Sequence, residues 1–83
     1  MTLDDLMQAE KRTVGVKQTE KAVVKGTALK VFVAKDADER VTEKLVELCE
    51  EKAVSVVMVE TMHELGKACG IHVKAAAAAI INS

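Results

Sequence analysis

The stretch LKVFVA, residues 29–34, is the most strand-like segment of this 83-residue chain. Five of its six residues are apolar, and Val31, Phe32 and Val33 are of types that are enriched in strands. Apolar side chains would point to both faces, so we predict a central strand that is buried on both sides. A strand of this kind requires a layered domain with helices on each face of a sheet.

Three further segments are predicted to be strands. Residues 55–60 (SVVMVE) form a second apolar run that is expected to be buried, and residues 13–16 are a short β-prone segment. Residues 75–81 are ambiguous, because their five consecutive alanines favour a helix. Seven residues are short for a helix but sufficient for a strand, and a strand continues the alternation of elements. We therefore predict a strand whose small side chains let helices pack closely.

Two helices are expected in the first third of the chain. Residues 2–12 have the spacing of a short amphipathic helix with Thr2 as its N-cap. Residues 17–25 are predicted to form a second helix, which Gly26 is suited to end.

The third and fourth helices each have a recognisable start. Asp36 or Asp38 can cap the third helix, which is expected to run to about residue 52. Residues 61–64 (TMHE) have the form of a capping box, and the helix that they open is predicted to stop at Gly70. The buried stripe of the third helix is expected to consist of Val41, Leu45, Leu48 and Cys49.

This alternation of helices and strands predicts an α/β fold, a three-layer α-β-α sandwich with a central mixed four-stranded sheet. The length fits a single domain, residues 1–83. No apolar run has membrane-spanning length, and Asp4 and Asp5 stand where a signal peptide would be basic. We therefore expect a cytoplasmic monomer without a membrane partner.

Charge is segregated along the chain, although a net charge of −1 argues against bulk attraction to nucleic acid. Residues 11–30 contain six basic residues and one acid, whereas residues 36–51 contain seven acids and two basic residues. This pattern favours one face that attracts phosphate; the alternative is ordinary solvated surface. Phe32 is the one aromatic residue, which counts against domains that stack single-stranded bases on aromatic rings.

The sequence gives little support for catalysis. It has no nucleophile beside a base, no Walker loop and no dinucleotide-binding glycine motif. Cys49, Cys69, His63 and His72 do not have the spacing of metal ligands, so neither a metal nor a cofactor is expected. Both cysteines are expected to be small core residues of a protein that is not an enzyme.

GVKQTEK, residues 15–21, has the features of a nucleic-acid contact. Gly15 lets another backbone approach closely, and the helix N-terminus that follows suits phosphate. Lys17 and Lys21 are four residues apart and therefore project from one helix face. Gln18 has both a donor and an acceptor with which to read a base edge.

GIHVK, residues 70–74, is the second candidate segment, a loop before the last strand. Ile71 and Val73 would be buried if this loop is only a connection. If they are instead exposed at the loop tip, they would form an apolar surface for a partner such as an unstacked base. Both segments can lie at the same end of a layered sheet and form one site; the alternative is that both are structural loops.

The chain resembles, over nearly its whole length, the kink-turn RNA-binding family of ribosomal protein L7Ae, and especially its short bacterial members. The resemblance rests on residues 15–21, on VFVAKDAD at 31–38, and on LGKACGI at 65–71 followed by the small-residue strand. It implies a non-catalytic α-β-α sandwich that binds kink-turns. These are sharply bent RNA duplexes with tandem sheared G·A pairs beside a short bulge.

The resemblance also implies roles for single residues. Lys17 and Gln18 would contact guanine edges, Lys21 would support the same guanines and nearby phosphate, and the loop before the last strand would cover the extruded bulge nucleotides. Lys35 and Lys67 would add phosphate contacts. The RNA-binding residues expected on this basis are Gly15, Val16, Lys17, Gln18, Lys21, Lys35, Lys67, Ile71, His72 and Val73.

One departure concerns how strictly guanine is read. Many family members have Asn-Glu where this chain has Lys17-Gln18. The lysine replaces a neutral base contact with a charge, so we expect less strict recognition of guanine and stronger attraction to phosphate. A ribosomal RNA, a riboswitch or a small RNA would each be a compatible partner, and so would the ribosome. The competing interpretation is a protein-interaction or regulatory α/β domain that kept the fold without RNA affinity.

Overall fold

Helices and strands alternate through the computed structural model, which describes residues 3–82. The order of elements is the one predicted, with shifts of a few residues at their ends. The elements are α1 (Leu3–Gln8), β1 (Arg12–Val14), α2 (Val16–Lys25), β2 (Ala28–Ala34), α3 (Glu39–Glu51), β3 (Ser55–Val59), α4 (Met62–Ala68) and β4 (Ala77–Ile81).

The strands form one mixed sheet in the order β1-β4-β2-β3. β2 and β3 are parallel, whereas β4 is antiparallel to both of its neighbours, β1 and β2. The mixed four-stranded sheet is therefore confirmed. The alanine-rich segment is also confirmed as a strand, although it begins at Ala77 rather than at residue 75.

Alternate residues of the central strands point to two separate cores. Phe32 and Ala78 face α1 and α4 on one side of the sheet. Val31, Val33 and Ala79 face α2 and α3 on the other side. The residues of the central strands that face the two cores are fully buried, which explains the unbroken apolar sequence of these strands. The three-layer sandwich is therefore confirmed. No helix within residues 3–82 is long and apolar enough to cross a membrane.

The first helix is shorter than predicted. α1 ends at Gln8, and Arg12, which was expected in the helix, pairs with Ile80 in β1. The guanidinium of Arg12 donates to the carbonyls of Leu6 and Ala9, at 3.3 Å each, and so binds the end of the helix to the strand. Thr2, the expected N-cap, lies outside the described residues.

Two boundaries around α2 depend on glycine. The strand was expected to include residue 16, but it ends at Val14, and Val16 is the first residue of the helix. Gly15 between them has φ 101°, a conformation that glycine adopts without strain. At the other end Gly26 has φ 79°, and its role in ending the helix is confirmed.

Two burial predictions were wrong. Val41 is exposed, because the buried stripe of α3 follows Thr42, Leu45 and Cys49, and residue 41 lies at the margin of that stripe, about 100° from Thr42. Within residues 3–82, β3 is not a buried strand but an edge strand with β2 on one side only, and its Met58 is 49% exposed.

Candidate nucleic-acid interface

The structure brings the two candidate segments to one end of the sheet. The Gly15 N–H, at the start of α2, donates to the carbonyl of Ala77 at 2.8 Å. Ala77 is the first residue after the loop that contains residues 70–74, and its neighbour Ala76 accepts the N–H of Ala34 at 3.0 Å. The ends of β1 and β2 therefore flank the start of β4, with the helix start and the loop beside it.

The start of α2 is firmly attached and open on its outer side. The Gly15 carbonyl accepts the N–H of Thr19 at 3.0 Å, and the buried Thr19 hydroxyl lies 3.2 Å from that of Thr13 in β1. Lys17 and Gln18 are exposed, and a Cβ built on Gly15 would meet nothing within 4 Å. A helix start leaves its first N–H groups without intrahelical acceptors, so donors and a positive dipole end point to the open side.

Val16 differs from the other predicted contacts of this segment. It is half-buried and packs against the core between the sheet and α2 and α3. Its side chain thus supports the first turn of α2.

Lysines form a stripe along α2. Lys17, Lys21 and Lys25 recur every four residues and border a groove between α2 and α3. Lys44 of α3 lies on the opposite wall, with Val24 also lining the groove. The i+8 spacing of Lys25 was visible in the sequence, although its role was not inferred. Lys44 gave no such signal, because it lies on another helix.

The loop after α4 folds back over that helix. The Ile71 N–H donates to the carbonyl of Gly66, and the Ala75 N–H donates to that of Met62, both at 3.1 Å. A Cβ built on Gly66 would overlap the carbonyl of Val73, so the loop can lie this close only over glycine. The sequence indicated no role for Gly66, because its contact is with a loop that turns back in space.

The three candidate residues of this loop, 71–73, have different surroundings. Ile71 is half-buried and packs on the core below, whereas His72 is exposed and Val73 is 69% exposed. The loop is therefore neither a wholly buried connection nor a wholly exposed apolar surface. Ile71 attaches it to the core, whereas Val73 projects into solvent. A cavity of about 240 Å³ is lined by His63, Lys67, Ile71, His72 and Val73. Lys67 is thereby brought next to the loop.

Some of the basic residues named above already bind groups of the protein. Lys35 forms an ion pair with Glu60 at 2.8 Å, with both side chains largely exposed. Lys30 is paired with Asp5 at 3.1 Å. Arg12 donates to the carbonyl of Cys69 at 3.1 Å in addition to its bonds to α1. Within the basic segment 11–30, the side chains of Arg12 and Lys30 are therefore less available to a ligand than the sequence suggests.

Two side chains accept hydrogen bonds from the backbone at the start of α4. The Thr61 hydroxyl accepts the N–H of Glu64 at 3.0 Å, as a capping box predicts. Asp36 accepts the N–H of Met62 at 2.8 Å and so binds the loop after β2 to α4. Asp38 is the cap of α3, because its carboxylate accepts the N–H of Arg40. Hydrogen bonds from the Arg40 side chain, and to a smaller extent from its backbone N–H, hold the pKa of Asp38 below its usual value.

The cysteines are core residues, as predicted. Cys49 and Cys69 are buried in the two cores on opposite faces of the sheet. Burial raises the pKa of both thiols, and the charge of Arg12 partly offsets this for Cys69. Within residues 3–82 there is no group of three or more His, Cys, Asp or Glu side chains that could hold a metal.

Comparison with known proteins identifies the family of this chain. The model of the ribosomal protein L7Ae/L30e/S12e/Gadd45 family matches residues 1–83. An RNA-binding protein of Caldanaerobacter subterraneus subsp. tengcongensis is 54% identical over 69 residues, which are 83% of this chain and 84% of the relative. The large ribosomal subunit protein eL8 of Haloquadratum walsbyi is 44% identical over 70 residues, 83% of this chain and 58% of the relative.

The solved structures show the same fold. The 15.5kD RNA binding protein of Giardia lamblia superposes with a TM-score of 0.88 at 30% sequence identity, covering 98% of this chain and 71% of its own. The resemblance seen in the sequence is thereby confirmed. The chain belongs to the ribosomal protein L7Ae/L30e/S12e/Gadd45 family.

Proposed function

We propose that this protein is a non-catalytic RNA-binding protein that recognises and stabilises kink-turns. The observation that supports this most is the 2.8 Å hydrogen bond from Gly15 to Ala77, because it joins the helix start to the first residue of β4, directly after the loop. The relatives named as RNA-binding proteins in Caldanaerobacter and Giardia are consistent with this activity.

The start of α2 would read the sheared G·A pairs. Gly15 leaves room for the RNA backbone, and the exposed side chains of Lys17 and Gln18 reach the guanine edges. Lys21, one turn further along, binds the neighbouring phosphate. The exposed lysine at position 17 contributes charge, so phosphate attraction has a large share in the affinity.

The loop after α4 would cover the bulge. Val73 projects far enough to pack on an unstacked base, while Ile71 holds the loop to the core. His72 lies between them at the surface. Lys67 is placed to bind phosphate beside the loop, and Lys35 would exchange Glu60 for phosphate when RNA is bound.

A structured RNA that contains a kink-turn is the proposed partner, whether a ribosomal RNA, a riboswitch or a small RNA. The relative named eL8 belongs to the large ribosomal subunit, which makes ribosomal RNA the first to test. We propose that the protein acts as a cytoplasmic monomer. Crosslinking in cells followed by sequencing of the bound RNA would identify the target.

Titration with a simple kink-turn RNA tests the proposal. We expect tight binding that is lost when the tandem G·A pairs are replaced by Watson–Crick pairs, because the kinked shape then disappears. A straight duplex of equal length and charge is the control. Equal, weak affinity for the kinked and the straight RNA would refute kink-turn recognition and favour a protein-interaction domain.

A further inference from the structure

The sheet has an unpaired edge at β3. Among the described residues β3 pairs with β2 alone, in an uninterrupted register from Ser55 to Val59. The Val59 carbonyl accepts the N–H of Lys35 at 2.7 Å, so its backbone groups point to β2. Because the direction of these groups alternates along a strand, the N–H and C=O groups of Val56 and Met58 point away from the sheet.

This edge lacks the usual protection against strand pairing. Proteins commonly block exposed edges with lysine, proline or a bulge. The sequence of β3, SVVMV, contains none of these residues, and its register with β2 has no bulge. Met58 leaves half of its apolar side chain exposed. The edge is thus open to pairing by a further strand.

Beside this edge α3 presents a row of acids. Glu43 and Glu47, with Glu39 and Glu50, line a groove whose apolar part includes Val46 and Met58, and no basic residue lines it. Lys44 points to the other side of α3, into the groove with α2. The row attracts a basic segment and repels the same edge of a second copy.

We propose that the β3 edge binds an extended, basic peptide segment of another protein by strand addition. In an added strand, successive side chains would lie on opposite faces of the sheet. One set would lie beside the glutamates of α3, and the other beside the half-buried Val57 on the opposite face. A segment in which basic and β-branched residues alternate fits this surface best. The proposal is independent of RNA binding.

A short synthetic peptide in which lysine and valine alternate is the probe. On titration into isotopically labelled protein, we expect NMR shifts in β3 and slower hydrogen exchange of the Val56 and Met58 amides. Two control peptides separate strand addition from charge alone. One has glutamate in place of lysine, and the other has the same composition with lysines and valines in separate blocks; neither is expected to protect these amides.

Matched variants test the acid row. Glu43→Gln and Glu47→Gln are each expected to weaken peptide binding about two- to fivefold, the range of a surface ion pair. Glu51→Gln is the control, because Glu51 is exposed on the same helix but does not line the groove. Equal loss in Glu51→Gln, binding of the block peptide with the same affinity, or unchanged exchange at Val56 and Met58 would each overturn the proposal.

Discussion

Gln18 is the residue on which base reading depends in the proposed RNA complex. Its exposed amide offers a donor and an acceptor beside the first turn of α2. We expect Gln18→Ala to weaken kink-turn binding by about 1–3 kcal/mol, the usual value of a good contact to a base edge. Titration at constant ionic strength measures this.

Gln8→Ala is the matched control for that variant, since Gln8 is equally exposed but lies on α1. Its affinity for the kink-turn is expected to equal that of the unmodified protein. An unchanged affinity in Gln18→Ala would remove Gln18 from the base contacts.

Gly66 determines how closely the loop can lie on α4. Gly66→Ala places a methyl group where the carbonyl of Val73 now lies, so the loop must move. We expect the free energy of unfolding in urea to fall by about 1–3 kcal/mol, the common cost of overpacking. Lys67→Ala, an exposed neighbour, is expected to leave stability nearly unchanged. Equal stability of all three proteins would show that the loop can shift without cost.

On the scale of an element, α2 is proposed to combine base reading and phosphate binding. Lys21 lies in the middle of the lysine stripe, one turn beyond Gln18. Lys21→Ala is expected to reduce the slope of log affinity against log salt by about 0.9, the contribution of one neutralised phosphate.

Lys52→Ala serves as the control for the salt slope, because Lys52 follows the end of α3, before β3 begins. Its slope is expected to match that of the unmodified protein. If Lys21→Ala had the same slope as well, Lys21 would not contact phosphate.

The Thr61 hydroxyl caps the start of α4 beside the Asp36 carboxylate, which accepts the Met62 N–H. Thr61→Ala removes the acceptor of the Glu64 N–H, and we expect a loss of about 0.5–2 kcal/mol in the free energy of unfolding. Thr61→Ser keeps the hydroxyl and should retain most of the stability. A loss in Thr61→Ser as large as in Thr61→Ala would assign the effect to the methyl group instead.

Local patterns predicted the elements well and their surroundings less well. The apolar run identified β2, and Gly26 and Thr61 marked helix ends correctly, because each signal lies within a few neighbouring residues. The strand at β4 was predicted from its length and from the alternation of elements, against the helix propensity of its alanines. Whether a strand is central or at an edge depends on the order of strands in the sheet. The sequence of β3 therefore suggested burial, although the strand lies at the edge.

The same limit applies to the candidate site. Residues 15–21 and the loop after α4 were recognised because each has a local signature. The contact of Gly66 with Val73, and the position of Lys44 opposite the stripe of α2, arise only when distant segments meet. Pairing of Arg12 and Lys35 with other groups of the protein was invisible for the same reason.

On the scale of the whole molecule, α3 separates two surfaces of opposite charge. Its Lys44 borders the basic groove with α2, whereas its glutamate row borders the edge at β3. Opposite charges on separated surfaces explain how a net charge of −1 is compatible with the proposed phosphate binding.

The two buried thiols report on the integrity of both cores. Cys49 and Cys69 lie on opposite faces of the sheet, and burial raises the pKa of each, so little reactive thiolate is present. We expect the native protein to react with a thiol-specific disulfide reagent far more slowly than the protein unfolded in guanidinium chloride. Rapid labelling of either thiol in the native protein would indicate that its core opens without global unfolding.

The position of β4 between β1 and β2 has a consequence for biosynthesis. β1 has no other partner in the described sheet, and the bond from Gly15 to Ala77 joins residues that are far apart in the sequence. Pairing of this kind has a high contact order. While a nascent chain is being translated, β1 remains without its partner until residues 77–81 have left the ribosome. The surface proposed to bind RNA is therefore incomplete until these residues have emerged and β4 can pair.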